Sequence, residues 1–172
     1  MREGQVKQLS SSCHRMPGRH GLSSRKPLRI LIVEDEFLIA LELESLLQDA
    51  GYDVVGIAAT SEEAIALGHQ FTPDLAFVDI HLADGLTGVE VARNLSDQQH
   101  VTVLFMTANA KRIPEDFAGA RGVIAKPYTE RGVKEALAYV TAEQKHDVAC
   151  PDRMTFIPFD VKGRGDSSSK RS

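Results

Sequence analysis

The sequence predicts a doubly wound α/β fold, a five-stranded parallel sheet in the order 2-1-3-4-5 with helices on both faces. Three observations predict it. Short apolar runs alternate with helical patterns from Leu28 onward, as in a chain that builds a covered parallel sheet. The runs are almost wholly apolar rather than alternating, as strands are when both faces are buried. Several of them stop at polar residues, and in an open parallel sheet the carboxyl ends of the strands face the ligand crevice.

The five strands are read at LRILIV (28–33), DVVGIA (53–58), DLAFVD (74–79), VTVLFMT (101–107) and GVIAK (122–126). Between the first two, EFLIALELESLLQDAG sets Ile39, Leu43, Leu46, Leu47 and Ala50 at helical spacing, with Gly51 as the C-terminal cap. SEEAIALGHQ forms a second helix with Ser61 as N-cap and Glu62 and Glu63 in its first turn. TGVEVARNLSD (87–97) offers Val89, Ala92 and Leu95 for a third. The fourth helix is weak, because a proline and two glycines interrupt KRIPEDFAGARG, which is expected to be the most mobile part of the domain. The last helix starts near Thr129 and carries the stripe Val133, Ala136, Leu137 and Val140.

One domain of ordinary size accounts for residues 28–141. Residues 1–27 are expected to be a basic, flexible N-terminal extension, and 142–172 a C-terminal tail that is mostly disordered or acts as a docking arm through MTFIPF (154–159). Charge is unevenly spread: six Lys/Arg against one acid in 1–27, eight against eighteen in 28–140. So acidic a core argues against nucleic-acid binding by that core. Cys13 and Cys150 lie far apart without metal-ligand spacing, so neither a disulfide framework nor a zinc site is expected. No apolar run approaches the roughly 18 residues a membrane helix needs, and no apolar segment follows the N-terminal basic residues; the expectation is a cytoplasmic protein with no membrane partner.

The polar strand ends carry the chemistry. Strand one ends in Glu34, Asp35 and Glu36, strand three in Asp79, strand four in Thr107 and strand five in Lys126-Pro127. Glu36 reads as a first-turn acid of the following helix. In the 2-1-3-4-5 order Glu34, Asp35 and Asp79 share one pocket, where each carboxylate pair at 4 Å costs about 4 kcal/mol at an effective dielectric near 20. Such a cluster calls for a cation, and hard oxygen donors suit Mg2+. An aspartate held beside a metal ion and Lys126 is equipped to attack phosphorus and form an acyl phosphate, with the Thr107 hydroxyl placed for a phosphoryl oxygen.

Together these residues resemble the receiver (CheY-like) domain of two-component response regulators, whose fold is flavodoxin-like. The resemblance covers about Leu28 to Val140. It implies Glu34 and Asp35 in the metal pocket, Asp79 as phosphoacceptor, and the backbone carbonyl of His81 as a further metal ligand. It also implies Thr107 as the switch hydroxyl, Lys126 as phosphate counterion, and Tyr128 as the aromatic whose rotamer follows Thr107. Lys126-Pro127 is similar to the family's cis peptide. Many members place a Met-Pro pair before a glycine in the loop after the phosphoacceptor; here LADGLTG has no proline and puts Gly88 nine residues on. This variant is similar to a subgroup of single-domain receivers and of receivers in alphaproteobacterial stress-response regulators. His81 and Asn109 fall where the family tunes the lifetime of the phosphoryl group.

The resemblance implies a stand-alone receiver that takes a phosphoryl group from a histidine kinase or histidine phosphotransfer protein. Its output would be contact with a downstream protein through the fourth-helix segment, the fifth strand and the last helix, with a homodimer possible on the same face. It would not be an enzyme beyond its own phosphorylation and dephosphorylation. One alternative is a phosphate sink for a shared kinase. Another, of a different class, is an aspartyl-phosphate phosphatase of the haloacid-dehalogenase type, disfavoured because His81 stands where that chemistry needs a second aspartate.

Overall fold

The computed structural model describes residues 26–142 and 156–159. Both cysteines and most of the two terminal segments lie outside them. The elements are β1 (Arg29–Val33), α1 (Phe37–Asp49), β2 (Asp53–Ala58), α2 (Ser61–Phe71), β3 (Leu75–Val78), α3 (Gly88–Arg93), β4 (Thr102–Thr107), β5 (Gly122–Ala125), α4 (Glu130–Ala142) and β6 (Phe156–Pro158). They form one sheet in the order β2-β1-β3-β4-β5-β6. The first five strands are parallel, as expected, and the sixth is antiparallel to β5.

Alternate residues of each central strand feed two separate cores, which is why the runs are continuously apolar. Leu31, Val33, Ala76, Val78, Val103, Phe105 and Val123 pack with Ala64, Val91, Ala92 and Leu95 of α2 and α3 and the turn that follows. Ile30, Ile32, Leu75, Phe77, Leu104, Met106 and Ile124 pack with Ala40, Leu43 and Leu47 of α1 and Val133, Ala136 and Leu137 of α4. At roughly 1.5–3 kcal/mol for each large aliphatic or aromatic side chain withdrawn from water, these two layers hold the strand ends in register.

Local signals explain the helix ends, with one shift. Gly51 follows α1 at φ +87°, the left-handed position that glycine takes just past a helix. The N-cap of α2 is Thr60 rather than Ser61: the Thr60 hydroxyl accepts from the Glu63 N–H at 3.3 Å while Glu63 accepts from the Ala59 N–H at 3.0 Å. This is a near relative of the capping box, and it leaves Ser61 free to bond elsewhere. The Thr129 hydroxyl accepts from the Gly132 N–H at 3.1 Å and so opens α4 where the periodicity put it.

One expectation fails and the strand count differs. Residues 110–121 form no α-helix but two short 3-10 turns, Ala110–Arg112 and Phe117–Gly119. Pro114 forces the reason: Ile113 before it is extended at φ −72°, ψ 128°, as pre-proline residues are. Phe117 and Ala118 then take left-handed φ values of 55° and 47°, a conformation that costs a residue with a β-carbon about 1 kcal/mol or more. The other difference lies in the tail. Five strands were expected, with 142–172 mostly disordered or a docking arm through 154–159; Phe156–Pro158 adds a sixth strand on β5, Gly122 opposite Pro158, Val123 opposite Ile157 and Ile124 opposite Phe156. Phe156 is fully buried, and that burial is what an edge strand with an apolar flank rewards.

Candidate functional site

The carboxyl ends of β1, β3, β4 and β5 converge, and each brings the group read from the sequence. Glu34 and Asp79 are buried, Asp35 is exposed, and one oxygen from each of the three carboxylates lies within 4.8 Å of the others. Lys126 reaches in from the end of β5. Its Nζ donates to Glu34 Oε2 at 2.5 Å and to Asp79 Oδ2 at 2.6 Å, so one ammonium bridges the two buried acids. The other oxygen of Asp79, Oδ1, accepts from the His81 N–H at 3.3 Å. The Lys126-Pro127 peptide is cis, as the resemblance implied.

Burial pushes the Glu34 carboxyl above its ordinary range, against the pull of the Lys126 ammonium and the Glu36 N–H and with that of the Asp79 charge. Burial by itself would lower the Lys126 ammonium, but its bonds to Asp79 and Glu34 prevail and raise it. One ammonium faces three acids. The donor set is therefore all hard oxygen with surplus negative charge and Asp35 open to water, a set that fits magnesium.

Thr107, at the end of β4, is 3% exposed, and its hydroxyl accepts from the Asn109 N–H at 3.1 Å. Its carbonyl accepts from the Lys126 N–H, tying the ends of β4 and β5 together. Tyr128 is half-buried and its hydroxyl donates to the Ile39 carbonyl at 3.3 Å, in a cleft also lined by Glu36, Glu42 and Ala108. Desolvation there, with the charges of Glu42 and Glu34, pushes its phenol up to about 12.

The loop after β3 held what the sequence reading missed. A β-carbon on Gly88 would sit 1.9 Å from the Asp79 carbonyl oxygen and 2.7 Å from Ile80 Cα, so the chain passes too close for any side chain. That contact explains the glycine despite the missing Met-Pro pair. Asp84, not singled out before, accepts from the Ser61 N–H at 2.9 Å, the Ser61 hydroxyl at 2.6 Å and the Thr87 hydroxyl at 2.6 Å. These bonds hold its carboxyl down at about 2. An aspartate three residues before a threonine was the available signal, and only the fold brings Ser61 to it.

Comparison with known proteins agrees with this geometry. The model of the response regulator receiver domain matches residues 30–138. The chain belongs to the response regulator receiver family. Among curated receivers it is 35% identical over 122 residues to the phyllosphere-induced regulator PhyR of Methylorubrum extorquens, covering 68% of this chain and 45% of PhyR. It is 31% identical over 116 residues to the chemotaxis protein CheY of Pseudomonas aeruginosa, covering 64% of this chain and 93% of CheY. The solution structure of the receiver domain of Erythrobacter litoralis PhyR superposes with a TM-score of 0.62 at 32% identity, over 72% of this chain and 97% of that one. The chain spans about half the length of several curated relatives it matches. Among the described residues of this receiver, no helix is long and apolar enough to cross a membrane.

Proposed function

We propose that this receiver is a phosphoacceptor, that Asp79 is the residue modified, and that the donor is a phosphohistidine on a kinase or phosphotransfer protein. The observation that carries the reading is the Lys126 ammonium shared by Glu34 and Asp79 at 2.5 and 2.6 Å. An aspartate oxygen forms a bond to phosphorus as the donor's P–N bond breaks, and the electron pair of that bond leaves with the imidazole nitrogen. Lys126 is positioned to follow the incoming charge, moving from Asp79 toward the phosphoryl oxygens. Thr107 offers its hydroxyl to one of those oxygens, and Tyr128 follows the space Thr107 leaves. Glu34, Asp35, Asp79 and the His81 backbone carbonyl would hold Mg2+, which when bound neutralises charge on the phosphoryl oxygens. Output then passes by protein contact through residues 108–121, β5 and α4.

Incubation with acetyl phosphate and magnesium tests the reading by intact mass. One phosphoryl group should be gained by the wild type, lost on standing as acyl phosphates hydrolyse, and absent from Asp79→Asn. A gain that survives the substitution, or no gain at all, overturns it.

A further inference from the structure

The sixth strand touches both faces of the sheet edge at the place where the receiver's output would leave. Phe156 is fully buried beside Tyr139 of α4, with ring centroids 5.5 Å apart. It fits because β5 begins with Gly122: a β-carbon there would lie 2.5 Å from the Phe156 ring. Three residues on, Phe159 stacks face to face on Phe117 at 4.0 Å and 11°, and its N–H donates to the Arg121 carbonyl at 2.9 Å. Phe117 is one of the two left-handed residues that replace the expected fourth helix. The tail thus covers the edge of β5 and also pins the strained 108–121 segment. Among the described residues, three of the tail pair with β5, and Pro158 has no N–H to offer.

That segment starts at the site. The Asn109 N–H is held by the Thr107 hydroxyl, the group that a phosphoryl oxygen on Asp79 would draw away. Asn109 would then lose its acceptor at the head of a segment whose far end carries Phe117. We propose that Phe156–Phe159 is an internal ligand of the β5 edge, seated in the unphosphorylated receiver and released when Thr107 and residues 108–121 rearrange. Release uncovers the β5 edge, the Gly122 notch and the Phe117 ring as one contact surface. The inference rests on the phosphoacceptor reading and adds to it a segment outside the receiver elements that gates the output face.

Hydrogen exchange on the full chain, with intact mass recorded on the same samples, tests it. With acetyl phosphate and magnesium, the wild type should gain one phosphoryl group and exchange about tenfold faster at 156–159 and at Val123–Ile124. A mass gain with unchanged exchange there overturns the internal ligand and leaves the phosphoacceptor reading standing; no mass gain overturns both. Gly122→Ala should show the fast exchange without acetyl phosphate. If Gly122→Ala fails to fold, Phe159→Ala, which removes only the half-buried stack, carries the same expectation, and slow exchange in it overturns the proposal. Because coupling is reciprocal, Phe159→Ala should also bind beryllium fluoride with magnesium more tightly than wild type, and equal affinity overturns the link between tail and site.

Discussion

Two segments leave the carboxyl ends of neighbouring strands, and they are built in opposite ways. Residues 79–88, after β3, are held by polar bonds at almost every step: Leu82 and Gly85 exchange backbone bonds, Ala83 donates to the Ala59 carbonyl, Asp84 binds Ser61 and Thr87, and Gly88 donates to the Ile80 carbonyl. Residues 108–121, after β4, have two short turns, an exposed Arg93–Asp116 pair at 2.6 Å, and a ring stacked on a strand from the tail. An exposed pair of that kind contributes little, and the backbone beneath it is strained. One segment is a platform tied to Ala59 and Ser61 beside Asp79; the other is bonded chiefly within its own short turns, over left-handed backbone at Phe117 and Ala118.

Substitutions can break that contrast, and the largest effect belongs at the platform's centre. Lys126→Met should lower stability by about 3 kcal/mol in urea unfolding, because Glu34 and Asp79 remain buried without their shared cation. Gly88→Ala comes next, at about 2–3 kcal/mol by the same measurement, since its β-carbon meets backbone that cannot step aside. On the other segment the loss should be smaller. Phe117→Ala should cost about 1 kcal/mol, the worth of an aromatic pair, and a loss as large as that of Gly88→Ala would erase the distinction.

The smallest test sharpens the contrast through pH. Asp84 titrates at about 2 in the folded protein against an ordinary 3.8, so its contribution is whole above 3.8 and disappears as pH falls through about 2. Melting curves of wild type and Asp84→Asn should therefore differ by a constant amount above the ordinary value and converge at the acid end. An advantage that stays constant down to pH 2 would detach Asp84 from the platform.

Most of the sheet was legible because burial on both faces leaves a strand no polar positions, and β1, β3 and β4 are of that kind. The site was legible for a related reason: Glu34, Asp79, Thr107 and Lys126 are the residues at which apolar runs stop, and the strand order brings them together. What escaped the reading depends on contacts distant in sequence or on choices between equal neighbours. Thr60 and Ser61 are adjacent hydroxyls, and Asp84 decides between them by binding Ser61. The apolar run 154–159 was legible as a segment able to dock, but a three-residue strand containing a proline has too little period to show its form, and its partner lies more than thirty residues upstream. The weakness of 110–121 was visible in its proline and glycines, while the left-handed turn at Phe117 and Ala118, where the Phe117 ring meets Phe159, was not.

Pro158 has a consequence for the protein in concentrated solution. The outermost described strand is three residues long and one of the three is a proline, which offers a second molecule no amide donor there and disfavours extension of the sheet. Without that cap the rim would be Gly122–Ala125, a short apolar ribbon of the kind on which fibrils start. The same few residues thus protect each molecule from its neighbours.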